Sequence, residues 1–267
     1  MTAHPPVREG YWYDAPDPRT ALVREGAHVR RATAGRPWMV VDQHIASITI
    51  GSSWPGRLWR VRVTELGDMS DLVAQPGYWR ASGVELIEAL PLATLFGPHG
   101  DAVLDVLARI ETLSLAQAMA LSDALAPDAE AAYGRAWSNW AGPRQAGPQD
   151  VGSPHPETEA AAPAATQDED WTGTLAASGR SGNEQSPVHG GFMLIHSQLW
   201  QRAQTVGGPD AILRIEDDGE IEETLAAPWD GACSALLHAA MARGAPGLVS
   251  EADSTTLTRA FDTAFAG

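Results

Sequence analysis

The stretch Gly56-Arg57-Leu58-Trp59-Arg60-Val61-Arg62-Val63-Thr64 decides the fold of the first third of this chain. From Trp59 onward, apolar and polar side chains alternate with a period of two, which predicts a strand over Leu58–Thr64 with one buried and one solvated face. Trp59, Val61 and Val63 share the apolar side. Arg60, Arg62 and Thr64 share the polar side.

Working outward, residues 7–97 have a composition that favours β structure. Residues 38–41 form a short apolar run, and residues 83–90 predict a later strand. Residues 42–50 allow either a strand, through their β-branched side chains, or a short helix with Asp42 as its N-cap. Residues 20–26 predict a short helix that ends at its glycine.

Residues 101–140 predict three helices. In the first, Val103, Leu107 and Ile110 recur at helical spacing. Ser114 and Gln117 fit a capping box at the start of the second. The third carries an aromatic ridge, which we interpret as core: Tyr133, Trp137 and Trp140.

The remaining sequence divides into a linker and a tail. Residues 142–187 are rich in Pro, Ala and acidic side chains and predict a disordered linker. Residues 188–267 predict a small hairpin, centred on Asp218-Gly219, and two helices. The expected fold class is α+β, with a β-rich domain plus three helices at 1–141. The tail would dock on that domain or on a partner, because it is small to stand alone.

Charge is unevenly distributed along the chain. All 18 basic residues are arginine, and the formal net charge is −16. Residues 1–66 carry +3 and residues 67–267 carry −19. The acidic part would repel a nucleic-acid backbone, so a protein partner is expected and nucleic acid is not. No signal-peptide pattern and no apolar run of about 18 residues occurs, which predicts a cytoplasmic protein with no membrane contact.

Sharp catalytic and metal-binding motifs are not found in the sequence. A single cysteine, Cys233, excludes an internal disulfide framework. Asp42 and His44 are the nearest approach to a metal pair, but a site needs three or four ligands, so no metal is predicted. Glu85 and Glu88 would lie on opposite faces of a strand and could not share one substrate.

The order of elements in residues 11–97 resembles that of small ADP-ribosyltransferase-like folds. It runs from the aromatic strand Tyr11-Trp12-Tyr13, through Glu25-Gly26 and Trp38–Asp42, to the strand at 56–63 and a later one at 84–87. That family arranges a β-rich core around a cleft for a nicotinamide dinucleotide. The resemblance implies NAD as the cofactor, whereas the residues by themselves predict none.

The same resemblance nominates site residues. In the family an early His or Arg, a middle Tyr or Ser and a late acid usually work together, and here Tyr13 or Trp12 occupies the early place. The nominated cleft residues are Tyr13, His28 and His44, with Glu65 or Glu85 as the acid. Arg24 or Arg30 would bind a pyrophosphate.

Three functional hypotheses follow. The first is a non-catalytic interaction protein, such as an immunity, regulatory or phage-related factor, favoured by the acidic charge and the flexible arm. The second is an NAD-dependent transferase or an inactive relative. The third is an accessory of a larger assembly that docks through its tail. We rank the interaction protein first, because no complete catalytic motif is present.

Overall fold

The computed structural model describes residues 7–14, 26–30, 38–48, 50, 54–70, 77–145, 186–217 and 220–266, with backbone alone for 143–145, 217, 220 and 221. These ranges form an α+β protein with seven strands and six α-helices. The strands are β1 (Glu9–Asp14), β2 (His28–Arg30), β3 (Met39–Asp42), β4 (Arg57–Leu66), β5 (Tyr78–Leu90), β6 (Ile212–Asp217) and β7 (Glu220–Leu225). The helices are α1 (Gly100–Glu111), α2 (Leu115–Asp123), α3 (Ala129–Gln145), α4 (Gly191–Gly207), α5 (Trp229–Gly244) and α6 (Glu251–Phe265).

The first five strands form a small antiparallel barrel. Their order is β2-β5-β3-β1-β4, and β4 also pairs with β5, which closes the ring. Closure depends on the 13-residue length of β5. One edge of β5 pairs with β3 and then β2, while its other edge pairs with β4.

The alternation in β4 sorts its side chains as predicted. Trp59 and Val61 are buried inside the barrel, and Val63 packs partly buried against them. The rest of the barrel interior is apolar: Trp12, Met39, Val41, Ala81, Val84 and Leu86. In β1, Tyr11 and Tyr13 flank Trp12 and belong instead to the core beneath the helices, because neighbouring strand residues point to opposite faces.

Helices α1 to α3 confirm the three predicted helices. Val103, Leu107 and Ile110 of α1 are buried. Both hydrogen bonds of the capping box between Ser114 and Gln117 are present at the start of α2. In α3, the predicted aromatic ridge packs partly buried against the core through Tyr133 and Trp137.

Helices α4 to α6 pack into the same hydrophobic core as α1 to α3. Helix α5 lies at its centre, and buried residues of α4, α5 and α6 join those of α1 and α2 in one cluster. On the surface, Arg135 of α3 pairs with Asp253 of α6. The tail therefore docks on the first helices, one of the two alternatives that its size left open.

Several local expectations change in the structure. Residues 45–47 form a 3-10 helix whose N-cap is His44, whereas Asp42, the predicted N-cap, ends β3. Helix α3 continues to Gln145, beyond the predicted start of the linker. Helix α4 was not predicted, and its N-cap is Gly190 at φ 85°. That left-handed conformation suits glycine, so the Gly190-Gly191 pair begins a helix.

Some expectations fall outside the described ranges. The predicted helix at 20–26 lies outside them except for Gly26, as do Arg24 and residues 146–185 of the linker. The division into domains stays a prediction. Across the described ranges, every helix is too short or too polar to cross a bilayer.

Candidate functional site

Tyr13 lies on β1 beneath the helical layer. Its half-buried ring passes over Gly56, where an added Cβ would come within 2.3 Å of the ring. Burial raises the pKa of Tyr13 to about 12, and the nearby Asp14 charge adds to the effect against an opposing backbone hydrogen bond at Gly56. The phenol is therefore neutral at physiological pH and packs as a core residue.

His28 and Glu85 form one pair of nominated residues that the structure brings together, across β2 and β5, and Arg30 and Glu65 form another. Both lie opposite Gly83 of β5, Arg30 from β2 and Glu65 from β4. Because Gly83 has no side chain, the guanidinium reaches the carboxylate at 2.8 Å. Both groups remain largely exposed, so the pair is screened by solvent.

Tyr13 and His44 lie away from these two pairs. Tyr13 pairs with Leu58, seven positions from Glu65 along β4, a separation of about 20 Å at the rise of a strand. His28 is exposed on β2 and pairs with Glu85. His44 is exposed at the start of the 3-10 helix, with no side-chain capping bond. Tyr13, His28 and His44 do not form one cluster, and their catalytic roles stay predictions.

Two arginines and three glutamates form a charged cluster on the outer face of the barrel. Arg62 contacts Glu9 and Glu85, each at 2.8 Å. Arg60 contacts Glu88 at 3.0 Å and Glu9 at 3.4 Å. These ion pairs link β1, β4 and β5, and each charged side chain of the cluster is paired with one of opposite sign.

The prediction that Glu85 and Glu88 lie on opposite faces is wrong. Between Arg60 and Val61 the register of β4 against β5 shifts, so that Arg60 lies opposite Glu88 and Val61 opposite Leu86. This bulge places one extra residue, Ile87, on β5. The extra residue returns both glutamates to the same face.

Asp42 is a buried carboxyl at the end of β3. Its backbone pairs with Tyr11 and with Tyr78, at the point where β1, β3 and β5 meet. Burial raises the pKa of Asp42 to about 7. The strand ends here, so His44 does not share a strand face with Asp42. In the ranges that the structure describes, no group of three or more His, Cys, Asp or Glu could hold a metal.

A buried polar group between α3 and α5 was not predicted. His238 is 2% exposed, and its Nε2 lies 3.2 Å from Glu130 Oε1. Its ring stacks obliquely on Tyr133 at 4.9 Å. The His238 contact lowers the pKa of Glu130. A histidine inside an Ala- and Leu-rich helix was the only available signal.

Cys233 of the same helix is buried and chemically quiet. Burial raises the pKa of its thiol to about 12, and the charge of Asp230 adds to this effect. A thiol needs to ionise to act as a nucleophile, and this one stays protonated at neutral pH. Helix α5 therefore presents no activated nucleophile at Cys233.

The hairpin of β6 and β7 exposes two large aliphatic side chains. Its register runs from Ile212 opposite Leu225 to Asp217 opposite Glu220. Ile212 and Leu225 pack toward the helical core, so the alternate residues face outward. Leu213 and Ile215 on that outward face are 51% and 49% exposed.

The sequence of this hairpin is rich in acidic residues. Residues 212–225 contain six carboxylates and one arginine, a formal charge of −5. Arg214 pairs with Glu223 at 2.7 Å, while Glu222 lies opposite Ile215 on the outward face. The arrangement suits the binding of a surface with apolar and basic groups.

No protein-family model, curated protein or solved structure matches the chain.

Proposed function

We propose that this chain is a non-catalytic regulatory or immunity-type interaction protein of the cytoplasm, which binds a protein partner through the outward face of the β6–β7 hairpin. The observation that carries the proposal is the exposure of Leu213 and Ile215 side by side on one strand face. Fully burying such side chains is worth about 1.5–3 kcal/mol each. Folding buries these two side chains only in part, so a partner that covers them gains the remaining free energy of burial.

The positions of the nominated catalytic residues also support an interaction role. Tyr13 is packed beneath the helices, and His28 and His44 are exposed at different places on the barrel. A reaction would need such groups within hydrogen-bonding reach of one substrate. The hairpin, by contrast, presents Leu213, Ile215 and Glu222 on one face.

Site-specific photo-crosslinking tests the proposal. A photoreactive residue at Ile215 is compared with one at Met119 of α2, since the two native side chains are 49% and 50% exposed. In the source cells, we expect position 215 to give an adduct of one defined mass, position 119 to give none, and Leu213→Asp to weaken the adduct. Equal adducts at both positions, or an adduct with a second copy of this chain, would contradict the proposal.

The alternative is the NAD-dependent transferase. The contact between Arg30 and Glu65 favours this alternative, because Arg30 was nominated to bind the pyrophosphate and Glu65 was nominated as the acid. Calorimetric titration of the full chain with NAD separates the two functions. We expect no heat of binding. Heat that disappears in Arg30→Gln would support the transferase.

A further inference from the structure

We infer that the open edge of β7 binds a basic, extended segment of the partner, which adds to the hairpin as a third strand. This inference rests on the proposed function, because it uses the same hairpin. It adds the chemical class of the bound segment and the way in which it binds.

The backbone of the hairpin can accept another strand. In the part of the chain that the structure describes, β6 and β7 pair only with each other. In an antiparallel pair, alternate residues direct their N–H and C=O groups away from the neighbouring strand. Such an edge is a template for an added strand. A two-stranded sheet is marginally stable alone, so a third strand also stabilises it.

The charges of the two strands indicate that the added segment binds beside β7 and that it is basic. The sequence of β7, Glu220–Leu225, contains three glutamates and no basic residue, whereas β6 contains Arg214. A segment beside β7 would place one set of alternate side chains against the exposed Glu222 on the outward face, while Glu223 on the other face already pairs with Arg214. Lysine or arginine opposite Glu222 is favourable, and acidic residues are repelled. The segment is therefore basic, and the body of the partner covers Leu213 and Ile215.

Exposed strand edges in other proteins are protected by charge against pairing with copies of themselves. The carboxylates here do the same, because a second copy of this hairpin would bring like charges together. The same charges admit a basic strand. The apolar face supplies contact area that charge alone does not give.

The test uses the full chain and three synthetic peptides of about a dozen residues. The first alternates Arg with Val, the second alternates Glu with Val, and the third is the Arg–Val peptide with alternate backbone amides N-methylated. Methylation removes the hydrogen bonds of one peptide edge and leaves the charge unchanged. Affinity is measured by fluorescence anisotropy, and the contact is located by amide chemical shifts.

We expect the Arg–Val peptide to bind with shifts concentrated in 220–225, and the Glu–Val peptide not to bind. N-methylation should weaken binding at least about tenfold, as should Glu222→Arg, while Glu111→Arg at the end of α1 makes the same charge change and should have little effect. Equal binding of the methylated peptide, or shifts that map elsewhere, would overturn the inference.

The two proposals fail in different ways. If no peptide binds while the crosslink at position 215 still forms, strand addition by a basic segment is wrong and the interaction function stands. If position 119 also gives the same adduct as position 215, both proposals are wrong. Circular dichroism and the Tm of Glu222→Arg show whether the variant is folded.

Discussion

Helix α5 and the β6–β7 hairpin are separated by three residues, yet their surroundings are opposite. In α5 most residues are buried, and Trp229 at its start is 1% exposed. Among the described side chains of the hairpin, those that reach the core lie at the end beside Ala211 and Ala226, and Leu213 is 51% exposed. The helix thus holds the helical layer together, while the hairpin contributes little to that core.

The difference separates residues that stabilise the protein from residues that are free to bind. A core position is constrained by packing on every side, so its substitution changes the free energy of unfolding. An exposed strand face tolerates substitution, and its side chains are available to a partner. The barrel repeats the contrast, with Asp42 buried at a strand junction and the glutamate–arginine cluster on its outer face.

The largest expected effect is that of Trp229→Ala. Removing this side chain leaves a cavity at the start of α5, and we expect a loss of about 3–5 kcal/mol in the free energy of unfolding. Leu213→Ala on the hairpin should change it by less than about 0.5 kcal/mol. Urea unfolding of the full chain measures both. Similar losses in the two variants would remove the distinction between helix and hairpin.

The second effect concerns the pH dependence of Asp42. Its pKa of about 7 in the folded chain lies above the ordinary aspartate value of 3.8, because the carboxyl is buried. Between these two pH values the folded state holds a proton on Asp42 that the unfolded state has lost. The contribution of this proton to the free energy of unfolding is therefore full at low pH and is lost as the pH rises through 7.

Asp42→Asn resembles the protonated carboxyl at every pH. The free energy of unfolding of the variant, relative to the native chain, should thus rise by about 2–4 kcal/mol between pH 4 and pH 8. Urea titrations at the two pH values give this difference. A difference that stays constant with pH would show that Asp42 does not titrate in this range.

A third effect tests how closely α5 packs. A Cβ at Gly231 would lie 2.3 Å from Ser122 Oγ and 3.2 Å from Ser122 Cα. Gly231→Ala should therefore cost about 1–3 kcal/mol by overpacking against α2. The control is Gly134→Ala in α3, where an added Cβ meets nothing within 4 Å. It should gain up to about 1 kcal/mol from helix propensity. Thermal unfolding that ranks the two in the reverse order would contradict the packing.

The smallest expected effect is at the outer face of the barrel. Arg62→Gln removes the contacts with Glu9 and Glu85, but exposed pairs contribute little and are screened by salt. We expect a lower Tm at low ionic strength and no difference in 1 M salt. A large loss that persists in high salt would place these charges in a dry environment.

Local sequence patterns predicted the elements that need only their own residues. The alternation in β4 and the capping box at Ser114 were both confirmed, because a strand face and a helix start are set by neighbours in the sequence. The bulge at Ile87 was missed, since it depends on how β5 pairs with β4. Helix α4 was missed as well. Its N-cap is Gly190, which makes no side-chain capping bond, so no capping signal marked its start.

The candidate site could be predicted only in part. The Asp-Gly turn signal indicated a hairpin, and β6 and β7 pair as expected. The signal did not indicate which face of the hairpin lies against the helices, because that depends on contacts of Ile212 and Leu225 with distant residues. The meeting of Arg30 and Glu65 across Gly83 likewise required the strand order.

The sequence by itself determined the α+β class, the acidic charge and the positions of most helices and strands, because periodicity, capping and charge act over a few neighbouring residues. Only the tertiary structure decided that the barrel closes through β5, that α4 to α6 share a core with α1 to α3, and that Leu213 and Ile215 remain outside it. Those outcomes depend on which apolar faces pack together when residues far apart in the chain come into contact. The burial of a side chain is set by these tertiary contacts and not by its neighbours in the sequence.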